Sequence, residues 1–154
     1  MNQYSELLYY IKSLAQADIL VNTVTKGDFD TLDLDKMNIF PLVHIAITGA
    51  SFTNGSTVNF SVQVGCFDIR DINKEIRDNK FWEQDNEVDN HNTTLAVLNR
   101  MWLKMFVDFE ENNITASEAP SLEIYSFVRS NTLDGWILSF DVEVPNTTIN
   151  LCTG

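Results

Sequence analysis

The sequence has few of the residues that build catalytic, redox or metal centres. Only two histidines and two cysteines occur among its 154 residues. Cys66 and Cys152 lie far apart, with no CxxC pair and no histidine at metal-ligand spacing, so we expect buried or incidental thiols and neither a disulfide nor a zinc site. His44 lies in an apolar segment, where we expect a hydrogen-bonded structural role, and His91 is expected to be exposed in the first turn of a helix.

Basic residues are also scarce. Ten lysines and arginines face 22 acidic residues, which gives a formal net charge of −12. A nucleic-acid binder needs a basic surface to displace counterions from phosphates, and an anionic membrane attracts basic patches, so this balance argues against adhesion to either. With 44% apolar residues, the chain can still build a core. We therefore expect one folded acidic domain spanning residues 1–154.

No apolar run approaches the roughly 20 residues of a membrane-spanning helix. The N-terminal segment carries Glu6, Lys12 and Gln16 within its apolar pattern and has no cleavage site of a signal peptide, so we expect a soluble protein made in a cytoplasm. The six glycines are scattered and form no phosphate-binding motif. No nucleophile motif accompanies the histidines, and we predict no enzyme activity and no cofactor.

Four spaced carboxylates form the strongest candidate for a metal site, at Asp28, Asp30, Asp33 and Asp35. An EF-hand loop that began at Asp28 would need glycine at its sixth position and glutamate at its twelfth. Those positions hold Asp33 and Ile39. A solvated acidic loop without a metal is therefore our interpretation, and an enzyme that uses these carboxylates with a divalent ion is the alternative.

Hydrophobic periodicity predicts two helices and about five strands. The helices are predicted over residues 3–17 and from a cap at Asp89 or Asn90 to about Asp108. The strands are predicted at residues 19–25, 42–48, 57–67, 121–130 and 135–144. The second and third of them would form an antiparallel hairpin with a medium-length tip at residues 50–56. The resulting fold class is α+β, with a mostly antiparallel sheet and both helices packed on one face.

Two patterns predict which side chains are buried. Alternation in the third strand buries one face, made of Val58, Phe60, Val62, Val64 and Cys66. Helical spacing in the long helix predicts a stripe made of Val88, Leu95, Leu98, Trp102 and Met105, supported by Met101 and Leu103. A charged excursion at about residues 68–90 and an extended tail at about residues 146–154 lie outside this core.

A few large apolar residues fall in polar segments and are candidates for an interface. Phe81 and Trp82 lie in the charged excursion, where they either pack internally or anchor a partner. Ile149 and Leu151 lie in the tail, and Phe52 lies in the hairpin tip. We predict these five as candidate interface residues.

The order of these elements resembles the tail-terminator and neck-ring proteins of tailed bacteriophages. The resemblance is carried by the amphipathic N-terminal helix, the Pro-led strand from Phe40 to Ile45, the strand Phe60–Val64, the mid-chain helix around residues 94–100 and the final strand from Gly135 to Val144. The composition, rich in Asn, Asp, Ile and Phe, is similar to that of structural proteins of crAss-like phages. The charged excursion departs from the family pattern.

This resemblance implies a virion head–tail connector protein of the neck or tail, assembled in the host cytoplasm. It would form a six-fold or twelve-fold homo-oligomeric ring, stacked on neighbouring portal, neck or tail proteins, with genomic DNA passing through without specific binding. An acidic surface fits a channel along which DNA slides. The alternative is an acidic monomeric or dimeric protein-binding module, such as an inhibitor or a nucleic-acid mimic.

Overall fold

The architecture is α+β, as predicted, with two helices and a six-stranded, mostly antiparallel sheet. The computed structural model describes residues 3–27, 40–53, 55–70, 87–112, 114–117, 119–128 and 132–145. In chain order the elements are α1 (Gln3–Ala17), β1 (Thr23–Lys26), β2 (Leu42–Thr53), β3 (Thr57–Ile69), α2 (Glu87–Glu111), β4 (Thr115–Ala116), β5 (Ser121–Val128) and β6 (Thr132–Pro145).

The three long strands β2, β3 and β6 form the centre of the sheet. The strand order is β1-β2-β3-β6-β4, and β5 also pairs with β6. β1 runs parallel to β2, whereas all other neighbours are antiparallel. β4 and β5 follow one another along the side of β6 that β3 leaves open, with β5 on residues 132–139 and β4 on residues 142–143.

Both helices contribute to one core on one face of the sheet. Alternate residues of β2, β3 and β6 join the buried residues of the helices in this cluster, which includes Ile11, Val43, Ile45, Leu98, Met101, Met105, Leu138 and Phe140. All five residues of the predicted buried face of β3 are buried. The opposite face of the sheet carries a smaller cluster that contains Phe67, Leu133 and Ile137.

Helix α1 has the bounds that its sequence pattern predicts. Leu7, Leu8, Ile11 and Ala15 are buried, whereas Tyr4 at its start is 45% exposed. Complete burial of a side chain such as Ile11 stabilises the fold by about 1.5–3 kcal/mol. The stripe of apolar residues therefore both specifies the helix and attaches it to the sheet.

The first predicted strand, at residues 19–25, is wrong in its first half, because β1 begins only at Thr23. A turn precedes it, in which the Asp18 carboxylate accepts the N–H of Leu20 (3.0 Å) and the Asp18 carbonyl accepts the N–H of Val21 (3.2 Å). Ile19 is 94% exposed as a result. A short polar side chain that bonds nearby backbone competes with strand formation in this way.

The predicted hairpin is present, but its medium-length tip at residues 50–56 is not. β2 continues to Thr53 and β3 begins at Thr57, so only three residues connect them. Gly55 has a φ of 72°, in the left-handed region that glycine adopts without strain. The pairing of β2 with β3 shifts by one residue between Ile47 and Gly49, which is a β-bulge.

Helix α2 is longer than predicted at both ends. It begins at Glu87 and not at a cap at Asp89 or Asn90, and it ends at Glu111 and not near Asp108. Asn90 is 4% exposed, and its amide donates to the Ile69 carbonyl at 2.9 Å. The bond ties the first turn of α2 to the end of β3. The predicted excursion at residues 68–90 is thus too long, since residues 68–69 belong to β3 and residues 87–90 to α2.

The buried stripe of α2 is also rotated relative to the prediction. Val88 and Leu103 are 63% and 57% exposed. The buried residues are Asn90, Thr94, Val97, Leu98, Met101, Met105 and Phe109. Apolar residues continue around this helix beyond one face, so their spacing alone does not select the face that the sheet covers.

The short strand β4 was not predicted. It pairs only two residues with β6, and the adjoining Ser117 adds a hydroxyl that accepts the N–H of Asp141 at 2.7 Å. β5 ends at Val128, before the predicted residue 130, and β6 begins earlier than predicted, at Thr132. No helix in the described ranges is long and apolar enough to span a membrane.

Candidate functional site

The strongest buried polar site joins Arg70 at the end of β3 to Asp134 on β6. The Asp134 side chain is fully buried, and that of Arg70 is 18% exposed. The guanidinium makes two bonds to the carboxylate, from Nη2 to Oδ1 at 2.5 Å and from Nε to Oδ2 at 2.9 Å. A bidentate arrangement of this kind is geometrically specific and stronger than a neutral hydrogen bond.

Two further side chains complete the surroundings of Asp134. The Ser126 hydroxyl donates to Oδ1 at 2.8 Å, and the Asn90 amide lies 3.5 Å from Oδ2. Burial disfavours the charged carboxylate, but the bonds from Arg70, Ser126 and Asn90 outweigh it and hold the pKa of Asp134 below its usual value. Asp134 is therefore a buried anion with a complete set of donors.

Glu87, His91 and Asp134 form the one group of potential metal ligands in the part of the chain that the structure describes, with ligand atoms within 4.8 Å of one another. Arg70 contacts both carboxylates, however, since its Nη2 atom also lies 3.4 Å from Glu87 Oε1. The guanidinium thus already supplies the positive charge. A divalent cation would have to displace Arg70, so the geometry favours a structural ion-pair network over a metal centre.

Ser126, His91 and Asp134 are the residue types of a catalytic triad, but they are connected differently. In a triad the serine bonds the histidine and the histidine bonds the carboxylate. Here the serine bonds the carboxylate directly, and His91 Nε2 lies 4.0 Å from Asp134 Oδ1 and 3.4 Å from the Tyr125 carbonyl. The histidine therefore does not bridge the serine and the carboxylate as it does in a triad.

The prediction that His91 is exposed is wrong. Its side chain is 13% exposed and meets the ring of Trp136 edge-on, with ring centroids 6.2 Å apart. The indole N–H of Trp136 donates to the His91 carbonyl at 2.9 Å. Trp136 thus attaches the start of α2 to β6 and covers the imidazole of His91. The sequence of the helix alone does not indicate this contact.

The prediction of a structural role for His44 is confirmed. The residue is 1% exposed, and both ring nitrogens are bonded. Nε2 must donate to the Gly27 carbonyl, which can only accept (2.7 Å), so in the neutral ring Nδ1 accepts from the Thr25 hydroxyl (2.7 Å). His44 therefore fixes β1 and the residue after it against β2.

Cys66 is a buried free thiol, as predicted. Burial raises the pKa of this thiol far above its usual value, so it is unreactive in the folded protein. Cys152 and the acidic loop with Asp28, Asp30, Asp33 and Asp35 lie outside the described residues.

Of the five predicted interface residues, the structure describes only Phe52. It lies near the end of β2 and is 69% exposed. Phe81, Trp82, Ile149 and Leu151 lie outside the described residues. The role of Phe52 in an interface stays a prediction, and the exposure of its side chain supports it.

An apolar groove that the sequence pattern did not predict lies between α2 and β5. The groove has a volume of about 340 Å³, and its lining includes Leu95, Trp102, Pro120, Leu122 and Leu138. On its β5 side, Leu122 is 46% exposed and the neighbouring Ile124 is 56% exposed. The alternating pattern of β5 places Leu122 and Ile124 on one apolar face. The pattern alone does not show that α2 leaves this face partly uncovered.

Two unlike surfaces thus flank the sheet, the end of β2 with Phe52 on one side and the groove between α2 and β5 on the other. Neither contains a cluster of titratable groups, in contrast to the buried network around Asp134. Comparison of the chain with known protein families and with curated proteins finds no match.

Proposed function

We propose that this protein is a structural subunit that assembles head to tail into a closed ring in the neck or tail of a tailed bacteriophage, as a tail terminator or collar ring between the head connector and the tail. The element order that resembles those ring proteins supports the proposal, as does the α+β fold. The protein would act by self-association and stacking on neighbouring portal, neck or tail proteins, without turnover.

One observation carries the proposal, namely that the two sides of the sheet expose different apolar surfaces. An interface in which a subunit offers two different patches is heterologous, and repeated heterologous contacts give a ring if the rotation closes. Apolar side chains such as Phe52 and Ile124 are costly to leave in water on an otherwise acidic protein. A partner that covers them would remove this apolar surface from water.

The charge of the chain supports a position beside DNA. With a net charge of −12, a ring of these subunits would repel phosphates and let DNA pass without adhering to it. Asp134 and both histidines already have structural partners and do not form a catalytic triad. An assembly role requires no such arrangement.

Native mass spectrometry and light scattering of the purified protein test the proposal. The expected result is one discrete species of six or twelve times the 17.5 kDa subunit mass, with an annular outline in negative-stain electron microscopy. A strict monomer or dimer up to millimolar concentration would overturn the ring. It would favour the alternative of an acidic binding module.

A duplex-binding experiment tests the proposed relation to DNA. Fluorescence anisotropy with a labelled duplex at physiological ionic strength should show no binding at subunit concentrations up to about 10⁻⁴ M, where basic proteins already bind non-specifically. Tight binding that weakens with added salt would contradict a passive acidic channel.

A further inference from the structure

The outer side of β2 is an open sheet edge over half of its length. β1 pairs with β2 only as far as Ile45, and within the described ranges no strand pairs with the outer side of residues 46–53. Those eight residues carry no charge and no proline. Natural sheet edges are usually protected by lysine, proline or a covering segment, and among the described residues this one has only a bulge. We call residues 46–53 the open edge.

Strand β5 lies at the other side of the sheet and has the same length as the open edge. It comprises the eight residues Ser121–Val128, and no described strand pairs with the outer side of residues 121–124. The groove between α2 and β5 lies beside this strand. A strand from another chain could therefore pair with β5 and place a side chain in the groove. In strand addition, the main-chain hydrogen bonds supply affinity and the side-chain pockets supply specificity.

The polarity of the strands makes these two surfaces complementary. β2 is antiparallel to β3, β3 to β6, and β6 to β5, so β5 runs antiparallel to β2. A second copy that continues the sheet head to tail therefore brings its β5 antiparallel to the open edge. Antiparallel pairing is the more stable of the two ladder geometries.

The exposed side chains also lie on matching faces. Phe52 is the cross-strand partner of Val58, which belongs to the core on the helix side of the sheet. Leu122 is the partner of Leu138, which belongs to the same core. In a continuous sheet, Phe52 of one copy and Leu122 of the next would point to the same side, where the groove lies.

We propose that the open edge receives β5 of a second copy, and that Phe52 inserts beside Leu122 into the groove between α2 and β5 of that copy. This inference rests on the proposed ring and specifies its contact. Within one copy, the pairings across the sheet align Leu122 with Ile45 and Val64, whereas Phe52 is aligned with Val58, six residues away along β3. To bring Phe52 beside Leu122 of the next copy, the two copies must be offset along the strands by about 20 Å. Because of this offset, β5 of the second copy would lie along residues 46–53 of β2 and would not overlap β1, which pairs with residues 42–45.

Cross-linking of two cysteine variants tests the pairing. Ser51 and Glu123 are exposed on the face of the sheet away from the helices, one on each proposed partner strand. In a Cys152→Ser background, we would co-express differently tagged Ser51→Cys and Glu123→Cys chains and treat the assembly with a short bismaleimide. A mixed cross-link is expected, with none in either variant alone.

A third variant controls for random collision. Lys104→Cys places an exposed thiol on the side of α2 that faces α1, outside both surfaces, and should give no cross-link with Ser51→Cys. Cross-linking of Ser51→Cys with itself would show a two-fold β2–β2 contact and overturn the inference. An intact ring without the mixed cross-link would overturn it as well, while it would leave the proposed function standing.

Side-chain variants test the role of Phe52 in the groove. Phe52→Asn is expected to weaken assembly by about 30-fold, the size of a hot-spot truncation, as measured by analytical ultracentrifugation. Val107→Asn is the control, because Val107 is also exposed (48%) but lies near the C-terminal end of α2, outside the groove lining, and it should leave assembly unchanged. Equal assembly of both variants would overturn the insertion of Phe52.

A double variant separates contact from indirect effects. Leu122→Asn should weaken assembly to a similar extent, and the combination with Phe52→Asn should cost little more than either change, because both remove the same contact. Additive losses would show that the two residues act separately. A wild-type protein that never assembles would overturn the contact together with the proposed function.

Discussion

Asp68 and Asp134 are direct cross-strand partners on β3 and β6, yet the fold shifts their pKa values in opposite directions. Burial and the negative charge of Asp134 raise the pKa of Asp68, against a bond from the Ile69 N–H at 2.8 Å. The donors around Asp134 lower the pKa of that carboxyl despite its burial. The negative charge of Asp134 is compensated by Arg70 and the other donors, whereas that of Asp68 is not fully compensated.

The first prediction concerns Asp68. Because its pKa is raised in the folded state, ionisation of Asp68 opposes folding, and the penalty develops as pH rises from 3.8 through the folded pKa. Asp68→Asn should therefore raise the free energy of unfolding at pH 7 by about 0.5 kcal/mol, as expected for like charges placed opposite each other. Urea unfolding at pH 7 and pH 3 checks this, since the gain should vanish at pH 3.

The second prediction concerns Asp134. Asp134→Asn removes the buried carboxylate that binds the Arg70 guanidinium through two bonds in a largely buried site, so we expect a loss of about 3 kcal/mol in the free energy of unfolding at pH 7. Lys104→Gln is the control, because it breaks an exposed pair with Asp108 on one helix and should cost far less stability than Asp134→Asn. Equal losses in the two variants would contradict the structural role of the network.

The same variant predicts a pH dependence of the opposite sign to that of Asp68. A carboxyl with a lowered folded pKa stabilises the fold above its unfolded pKa of 3.8, and this stabilisation is lost as pH falls further. The difference between wild type and Asp134→Asn should thus be constant between pH 5 and 7 and shrink below pH 3.8. A difference that grows on acidification would refute the assignment.

The third prediction uses two glycines. A Cβ atom at Gly135 would lie 1.9 Å from the Cys66 carbonyl oxygen and 2.7 Å from the Phe67 ring, so Gly135→Ala forces β3 and β6 apart. We expect a loss of about 3 kcal/mol. Gly49→Ala is the matched control, since nothing lies within 4 Å of its Cβ position, and it should change stability by less than about 0.5 kcal/mol. Thermal unfolding of both variants measures the contrast.

The fourth prediction concerns salt and assembly. Subunits with a charge of −12 repel one another, while the proposed contact between the open edge and β5 includes only one charged residue, Glu123. Salt should therefore strengthen assembly between about 0.05 and 0.5 M by screening the repulsion. Sedimentation at a series of ionic strengths checks the direction. Assembly that dissociates with salt would indicate an interface held by ion pairs.

Much of the fold follows from local pattern. Strict alternation predicted the buried face of β3, and helical spacing predicted α1 with its observed bounds. Local chemistry also shows why two predictions failed. Asp18 bonds the backbone that follows it and delays β1, and Gly55 lets the hairpin close in three residues where a longer tip was expected.

The candidate sites depended more on tertiary contacts. The sequence context of His44 predicted a structural role, and its two hydrogen bonds confirm that role. Nothing near His91 in sequence indicates that Trp136 covers it, since the two residues are 45 positions apart. The partners of Asp134 likewise come from β3, β5 and α2, and their convergence is a property of the sheet register.

By itself, the sequence determined the charge, the fold class and the identity of most strands, because composition and periodicity are local properties that any packing must satisfy. Only the tertiary structure decided which face of α2 is buried, which aspartate is compensated and which edges of the sheet have no partner strand among the described residues. Those features depend on pairing between residues far apart in the chain, and the open edge opposite β5, on which the proposed assembly rests, is one of them.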